Sequence, residues 1–495
     1  MKLIAAACLV AATLSVSPLA HAHDAHAAQA WQTLAEADVV ALCADVRGIH
    51  PGMRDNATPD FATVVDESCR NAEVEAAGVR SYPGWRSAVQ ALVMSFRDGH
   101  LNVRFNVEPA TVRWPGFLID GRAAGYVVRY PVGLAVANNA PVEGSRLTGC
   151  DGVPVDRLMM DRLDGRVADW SKAPERLRQA YRLFIESDPA APAPLTSCDF
   201  ETSTGSRTVQ LDWRSAPAAQ MNAAILPFTR RIVRGIGLAW ETDGGAWISL
   251  GNVQNEGALQ ALEAEMTASR DALRAAPYVV FDLRGSAGGN SMWGGRLAGV
   301  LWGEEAVEAR RLAGHSNNPA EYGKFWRGSA RAAVAIRAEG DKFAAQGPDM
   351  AEVAAFWREL ADEISQRPEG DDNLMMDACC QPGVRPTAVP ASHYDGKAYV
   401  VTDAGTFSSS IVVMNTFKRM GAVQVGEVSG QNEVYAESVG PIQLPSGLGA
   451  YRMPVSLIRQ PRQDLGGTPP DIGWDGAMDD DAGLRRWIIT DLARR

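Results

Sequence analysis

Tyr399-Val-Val-Thr-Asp-Ala-Gly-Thr-Phe-Ser-Ser-Ser-Ile-Val-Val-Met-Asn-Thr-Phe-Lys-Arg-Met-Gly421 reads as a buried strand, a turn of small residues and a helix. Ala398–Thr402 is nearly continuously apolar, the pattern of a strand covered on both faces. A helix begins near Ser408, and Gly421 closes it, as glycine commonly does. Serine at a helix start caps free N–H groups. The same strand-to-helix turn also suits a nucleophile. Its hydroxyl stands exposed on a rigid element, and the N–H groups that follow can stabilise an oxyanion.

A second stretch, Tyr278-Val-Val-Phe-Asp-Leu-Arg-Gly-Ser-Ala-Gly-Gly-Asn290, is a strand that runs into a glycine-rich loop. Such a loop can cradle a phosphate, but the spacing fits neither the Walker pattern nor GxGxxG. Glycines also let backbone N–H groups approach a substrate closely. Around these stretches, Ala246–Leu250 reads as a strand and Leu259–Ala275 as a helix with Leu259, Leu262, Met266 and Leu273 on one face. The fold class is therefore α/β from about residue 216.

Upstream the pattern changes. Residues 30–105 read as helical, with Trp31, Leu34, Val39, Leu42 and Val46 at helical spacing. Residues 110–215 carry short alternating runs such as Gly125–Tyr130 and Val209–Trp213, which are strand-like. Gly144–Leu158 holds a strand, an Asp-Gly turn, a short strand and a helix start. It resembles the middle of a PDZ domain, whose groove binds peptide ends by strand addition, and it also fits a generic β-hairpin. Residues 318–366 are polar and helical and read as part of an insertion.

The chain is 46% hydrophobic and 22% charged, which suits a globular protein of more than one domain. A formal charge of −11 argues against a nucleic-acid partner. Lys2, the apolar run Leu3–Val16 and Ala20-His21-Ala22 read as a cleaved signal peptide over 1–22. No other segment is long and apolar enough to span a bilayer, so the mature chain is expected to be exported, periplasmic or secreted. Cys43, Cys69, Cys150, Cys198, Cys379 and Cys380 remain after the signal, an even number that suggests disulfides in an exported protein. Locality favours Cys43–Cys69 and Cys150–Cys198 and leaves the adjacent Cys379 and Cys380, whose direct bridge is strained. No cysteine pair has zinc-ligand spacing with a nearby histidine.

Taken together, the motifs resemble the C-terminal processing (tail-specific) and tricorn-like serine peptidases. Asp282–Gly289 resembles that superfamily's strand-and-glycine signature, and Thr406-Phe-Ser408 its nucleophile turn. Gly426-Glu-Val-Ser-Gly430, Asp98-Gly-His100 and Gly467-Thr-Pro-Pro-Asp471 resemble further segments in the family's order. The resemblance implies a crotonase-like (ClpP/crotonase) α/β core over 216–490 with a helical insertion at about 305–390. It also implies a helical N-terminal region over 30–105 and a PDZ-like β domain over 110–215.

One departure stands out. Where the bacterial processing peptidases carry a lysine base, this chain has Gln431 or Asn432, so it resembles the tricorn-like branch with its histidine. The resemblance then implies Ser408 as nucleophile, His100 as base, and Asp464 in the place of the family's closing glutamate. Backbone N–H groups of Ser409 and of Gly288 or Gly289 would hold the oxyanion, with no metal or cofactor. Lys418 reads as a surface residue. A histidine base predicts an activity rise through about pH 6–7.5. The resemblance also implies a polypeptide substrate. Two other readings stand beside it: a non-catalytic peptide- or ligand-binding protein on the same fold, and a crotonase-like thioesterase.

Overall fold

The computed structural model describes residues 18–492 except 57, 59, 187–192, 315–322, 369, 378–387, 431–433 and 460–465. Cys379, Cys380, Asp464, Gln431 and Asn432 therefore lie outside the described residues, as does most of the expected signal segment. The boundary expected at residue 22 falls inside a helix, α1 (Pro18–Ile49).

Two more helices follow, α2 (Phe61–Ala77) and α3 (Tyr82–Ser95). Ser81 and Pro83 explain where α3 starts: the Ser81 hydroxyl accepts from the Gly84 N–H, and proline fits the first turn. The stretch expected to be helical to 105 ends instead in a strand, β1 (Asn102–Phe105), after a turn in which Arg97 takes a positive φ of 54°.

The middle of the chain builds an antiparallel sheet of β2 (Leu118–Arg122), β3 (Gly125–Arg129), β4 (Arg146–Cys150), β5 (Ser197–Thr202) and β6 (Gly205–Gln210), in that order. A two-residue strand, Val153–Pro154, pairs with β4 across the Asp151-Gly152 turn and leads into α4 (Val155–Leu163). Phe117, Phe184 and Phe200 fill the core of this unit with edge-on contacts.

A six-stranded sheet follows. Its strands are β7 (Gly237–Trp240), β8 (Ala246–Ser249), β9 (Tyr278–Asp282), β12 (Lys397–Thr402), β13 (Val423–Gly426) and β16 (Ile472–Gly473) in spatial order. All neighbours are parallel except β7 and β8. Every residue of β9 is buried: the apolar run Tyr278–Phe281 requires it when both faces are covered, and Asp282 is paired with buried Arg284 at 2.6 Å. On one face Val279 and Phe281 pack with α5 (Glu256–Ala268), α6 (Met292–Trp302) and α9 (Ser409–Arg419). On the other, Tyr278 and Val280 meet Trp247, Val401 and Val425. Phe281 stacks on Phe417 at 4.1 Å, and full burial of such a side chain contributes about 1.5–3 kcal/mol.

The second sheet of this half is antiparallel: β1, β15 (Gly449–Arg459), β10 (Gly323–Arg327) and β11 (Leu374–Met376), with β14 (Tyr435–Gln443) on β15. The segment expected to be a helical insertion thus contributes two strands as well as helices α7 (Ala330–Ala344) and α8 (Ala351–Ser365). It does not stand apart. Ile336, Trp357 and Leu360 share one apolar core with Val39, Leu42 and Val46 of α1.

Disulfides join Cys43 to Cys69 between α1 and α2, and Cys150 to Cys198 between β4 and β5. In denaturant, these four thiols are expected to stay closed to a thiol reagent until reductant is added. Replacing either pair by alanine is expected to lower stability by about 2–4 kcal/mol in urea unfolding. Immediate reaction of all four thiols would exclude the pairing.

Candidate active site

Ser408 sits between β12 and α9 with φ 55° and ψ −128°, a backbone conformation that non-glycine residues rarely adopt. Among the described residues its side chain makes no capping bond to the helix, so capping does not account for this serine. The strained turn instead lifts Oγ off the helix end and toward His100. His100 Nε2 lies 3.2 Å from Ser408 Oγ, in position to accept the hydroxyl proton.

The glycine-rich loop after β9 is tied to the same turn. The Phe407 N–H donates to the Ser286 carbonyl at 2.9 Å, and the Thr406 hydroxyl to the Leu283 carbonyl at 2.9 Å. Asp403, buried, accepts the N–H groups of Gly285 and Gly405, one from each turn. Burial pushes the Asp403 carboxyl up to about 6, Glu427 adds to this, and the Gly285 N–H, Arg230 and Arg284 oppose it. Ser286 and Ser410 share a buried hydroxyl–hydroxyl bond of 2.6 Å, so Ser410 faces inward, away from His100. Ser409 opens α9, where the first N–H groups have no intrahelical partner.

Gly288 takes φ +107°, and a Cβ there would come within 2.9 Å of the Ser408 Cβ and 3.2 Å of the Ser409 nitrogen. Gly289 turns elsewhere: a Cβ on it would stand 2.3 Å from the Val253 carbonyl. Of the two glycines, Gly288 is therefore the one that lies against the serine.

His100 belongs to the turn between α3 and β1, and its ring rests on Phe407 at 4.8 Å. Its Nδ1 is closed off from solvent and, among the described residues, makes no hydrogen bond of ordinary geometry, although the Tyr435 backbone is close enough to favour a charged ring. Burial pushes the ring below the usual histidine range; Asp98 and Glu437 oppose that, and Arg452 reinforces it. The activity rise expected at about pH 6–7.5 accordingly moves lower.

Sequence reasoning missed His50. It is fully buried, and its Nε2 lies 2.8 Å from Asp98 Oδ2. The other Asp98 oxygen accepts the His100 N–H at 2.9 Å. Asp98 was visible in the Asp98-Gly-His100 motif, but nothing local in His50-Pro51-Gly52 signals its partner forty-eight residues on. Arg230 was missed as well. Its buried guanidinium joins Asp120 of β2 at 2.6 Å to Glu427 after β13 at 2.9 Å, and so ties the β2–β6 sheet to the parallel sheet. Arg230→Met removes the cationic partner of buried Glu427 and leaves Asp120 only Arg122 and Arg129, and is expected to lower stability by about 3–5 kcal/mol in urea unfolding. A loss under 1 kcal/mol, on the same scale, would show that the ion triad carries no structural role.

Lys418 is at the far end of α9, roughly 15 Å along the helix from Ser408. It is held by Gln424 at 2.8 Å and by Asp471 at 3.2 Å, not free in solvent. Asp464 lies outside the described residues. Two grooves meet at the site. One, of about 1930 Å³, runs past Ser408, Met292 and Val412; the other, of about 1310 Å³, runs past Phe407 and Ala287 toward Arg182 and Ile185 beside the β2–β6 sheet. No helix among the described residues is long and apolar enough to cross a membrane.

No protein-family model matches the chain, and no curated protein matches it. Solved structures do. The chain is similar to mature CPAF complexed with lactacystin, at 13% identity over 90% of this chain and 94% of that one, with a TM-score of 0.56. A crystal structure of mature CPAF matches equally, at 14% identity over 90% and 93%, TM-score 0.56. The photosystem II D1 C-terminal processing protease aligns over 90% and 93% at 12% identity, but its TM-score of 0.33 carries no argument. At such identities the likeness to CPAF establishes a shared mixed α/β fold, and nothing finer.

Proposed function

We propose that this chain is an exported serine peptidase that cleaves polypeptides through an acyl-enzyme. Ser408 Oγ gives its proton to His100 Nε2 and attacks a peptide carbonyl. The oxyanion is held by the Ser409 N–H and the Gly288 N–H. His100 then returns the proton to the leaving amine, and water, activated by the same ring, hydrolyses the ester. The parallel sheet is read as a crotonase-like core, and the β2–β6 sheet as a PDZ-like domain beside the second groove. Asp464 is retained as a candidate for steadying the base.

The observation that carries the reading is the pairing of a strained, uncapped serine with a histidine nitrogen 3.2 Å away. Neither is needed for a fold that only binds a ligand. Two disulfides support export, since such bonds persist in oxidising compartments. The test is exposure of the purified chain to a fluorophosphonate, with intact mass and peptide mapping, beside casein cleavage. One adduct at Ser408 with cleavage is expected. No adduct and no cleavage would overturn the peptidase reading in favour of a binding protein. Hydrolysis of thioesters but not of casein would favour the thioesterase.

A further inference from the structure

His100 is asked to become positively charged in a half-buried position, yet among the described residues no carboxylate touches its ring. The nearest anionic arrangement is indirect. Asp98 is two residues away, its side chain almost wholly buried, and both oxygens are engaged: Oδ1 with the His100 N–H at 2.9 Å, Oδ2 with His50 Nε2 at 2.8 Å.

His50 is itself locked. Its Nδ1 accepts the Gly52 N–H at 3.0 Å, so the ring proton resides on Nε2, facing Asp98. Phe61 stacks on the ring at 4.5 Å and Tyr435 meets it edge-on at 4.5 Å. Gly52 has no room for a side chain, because a Cβ would fall 2.8 Å from the Tyr435 hydroxyl and 2.9 Å from His50 Nδ1. A buried carboxylate without such a donor would take up a proton instead.

We propose that His50 and Asp98 form the positioning unit of the active site: His50 keeps Asp98 ionised, and Asp98 fixes the His100 backbone and supplies the negative charge that steadies the imidazolium formed when Ser408 gives up its proton. This rests on the peptidase reading above. Asp98 touches neither substrate nor the reacting atoms, so it acts through His100. The other charged groups that His100 faces are Glu437 of β14 and Arg452 of β15. Glu437 is half-exposed and paired with Lys324 at 2.9 Å, which leaves Asp98, among the described residues that His100 faces, as the buried anion. The Asp98 carboxyl sits below its usual range: burial works against ionisation, but the hydrogen bonds it accepts from His50 and from the His100 N–H favour the charged form.

The experiment measures fluorophosphonate labelling rate against pH, with kcat and KM on casein, for Asp98→Asn, His50→Phe and His50→Gln. Asp98→Asn keeps an oxygen for the His100 N–H but removes the charge. His50→Phe keeps the ring but removes the donor. Both are expected to lower plateau labelling rate and kcat about 10- to 100-fold, with KM nearly unchanged and the acid limb moved to lower pH. His50→Gln retains an N–H for the carboxylate and is expected to recover most of the rate. Folded Asp98→Asn protein with an unmoved limb would overturn the proposal, as would His50→Gln behaving no better than His50→Phe. Where His50→Phe fails to fold, His50→Gln against Asp98→Asn decides it. Wild-type protein without labelling would instead overturn the peptidase reading, whatever the variants do.

Discussion

Ser408→Ala is expected to abolish fluorophosphonate labelling and to lower casein hydrolysis by about 10³- to 10⁶-fold, while the protein stays folded. The loss follows from geometry: Oγ is the atom 3.2 Å from His100 Nε2, and alanine removes only that atom. The fold should not notice, because among the described residues Oγ makes no capping bond to α9. Alanine does not relieve the strain either, since its Cβ keeps the cost of φ 55°. Ser408→Gly should therefore melt at a higher temperature than Ser408→Ala, a readout that locates the strain at position 408. The neighbouring serines serve as controls. Ser410 is committed to Ser286 and Ser409 offers its backbone, so Ser409→Ala and Ser410→Ala should still be labelled. Labelling that survives in Ser408→Ala and disappears in either neighbour would put the nucleophile elsewhere in the turn.

His100→Ala is expected to lower kcat by about 10²- to 10⁴-fold, with KM little changed. In wild-type protein, kcat/KM should rise with pH through one ionisation whose midpoint is below the ordinary histidine value of about 6.5. The direction follows from burial, the largest influence on this ring, which disfavours the imidazolium; Asp98 and Glu437 oppose it and Arg452 adds to it. As the proposed base, His100 would be neutral and competent at lower pH than an exposed histidine. Lys418→Ala should leave the profile in place, because Lys418 bonds to Gln424 and Asp471 at the opposite end of α9. Full activity in His100→Ala, or an acid limb above pH ~7, would remove His100 as the base.

The strand–turn–helix of 399–421 and the strand–loop of 278–290 were legible because their information is local. An unbroken apolar run marks a strand with two covered faces, and small residues mark the turn that follows. The cysteine pairs were legible for a related reason, since short separations favour closure. Local pattern also misled. Residues 102–105 follow three helices yet pair with β15, three hundred and fifty residues on, and no periodicity in a four-residue strand announces that partner. The polar helices after residue 330 read as an insertion because their charged faces dominate. Ile336, Trp357 and Leu360 nonetheless complete the core begun by α1.

For the site, the residue types of Ser408, His100 and the glycine loop are written in the chain, as is the absence of any titratable nitrogen at Gln431. Chemistry restricts which side chains can act as nucleophile or base, and that restriction needs no coordinates. The tertiary structure decided what those residues meet. It put φ 55° at Ser408, turned Ser410 away, and set Gly288 rather than Gly289 against the serine. It also brought His50 to Asp98 and Arg230 to both Asp120 and Glu427. The physical reason is that a buried charge is tolerated only with a partner, and the partner is recruited by packing from wherever the chain passes, not from neighbouring sequence.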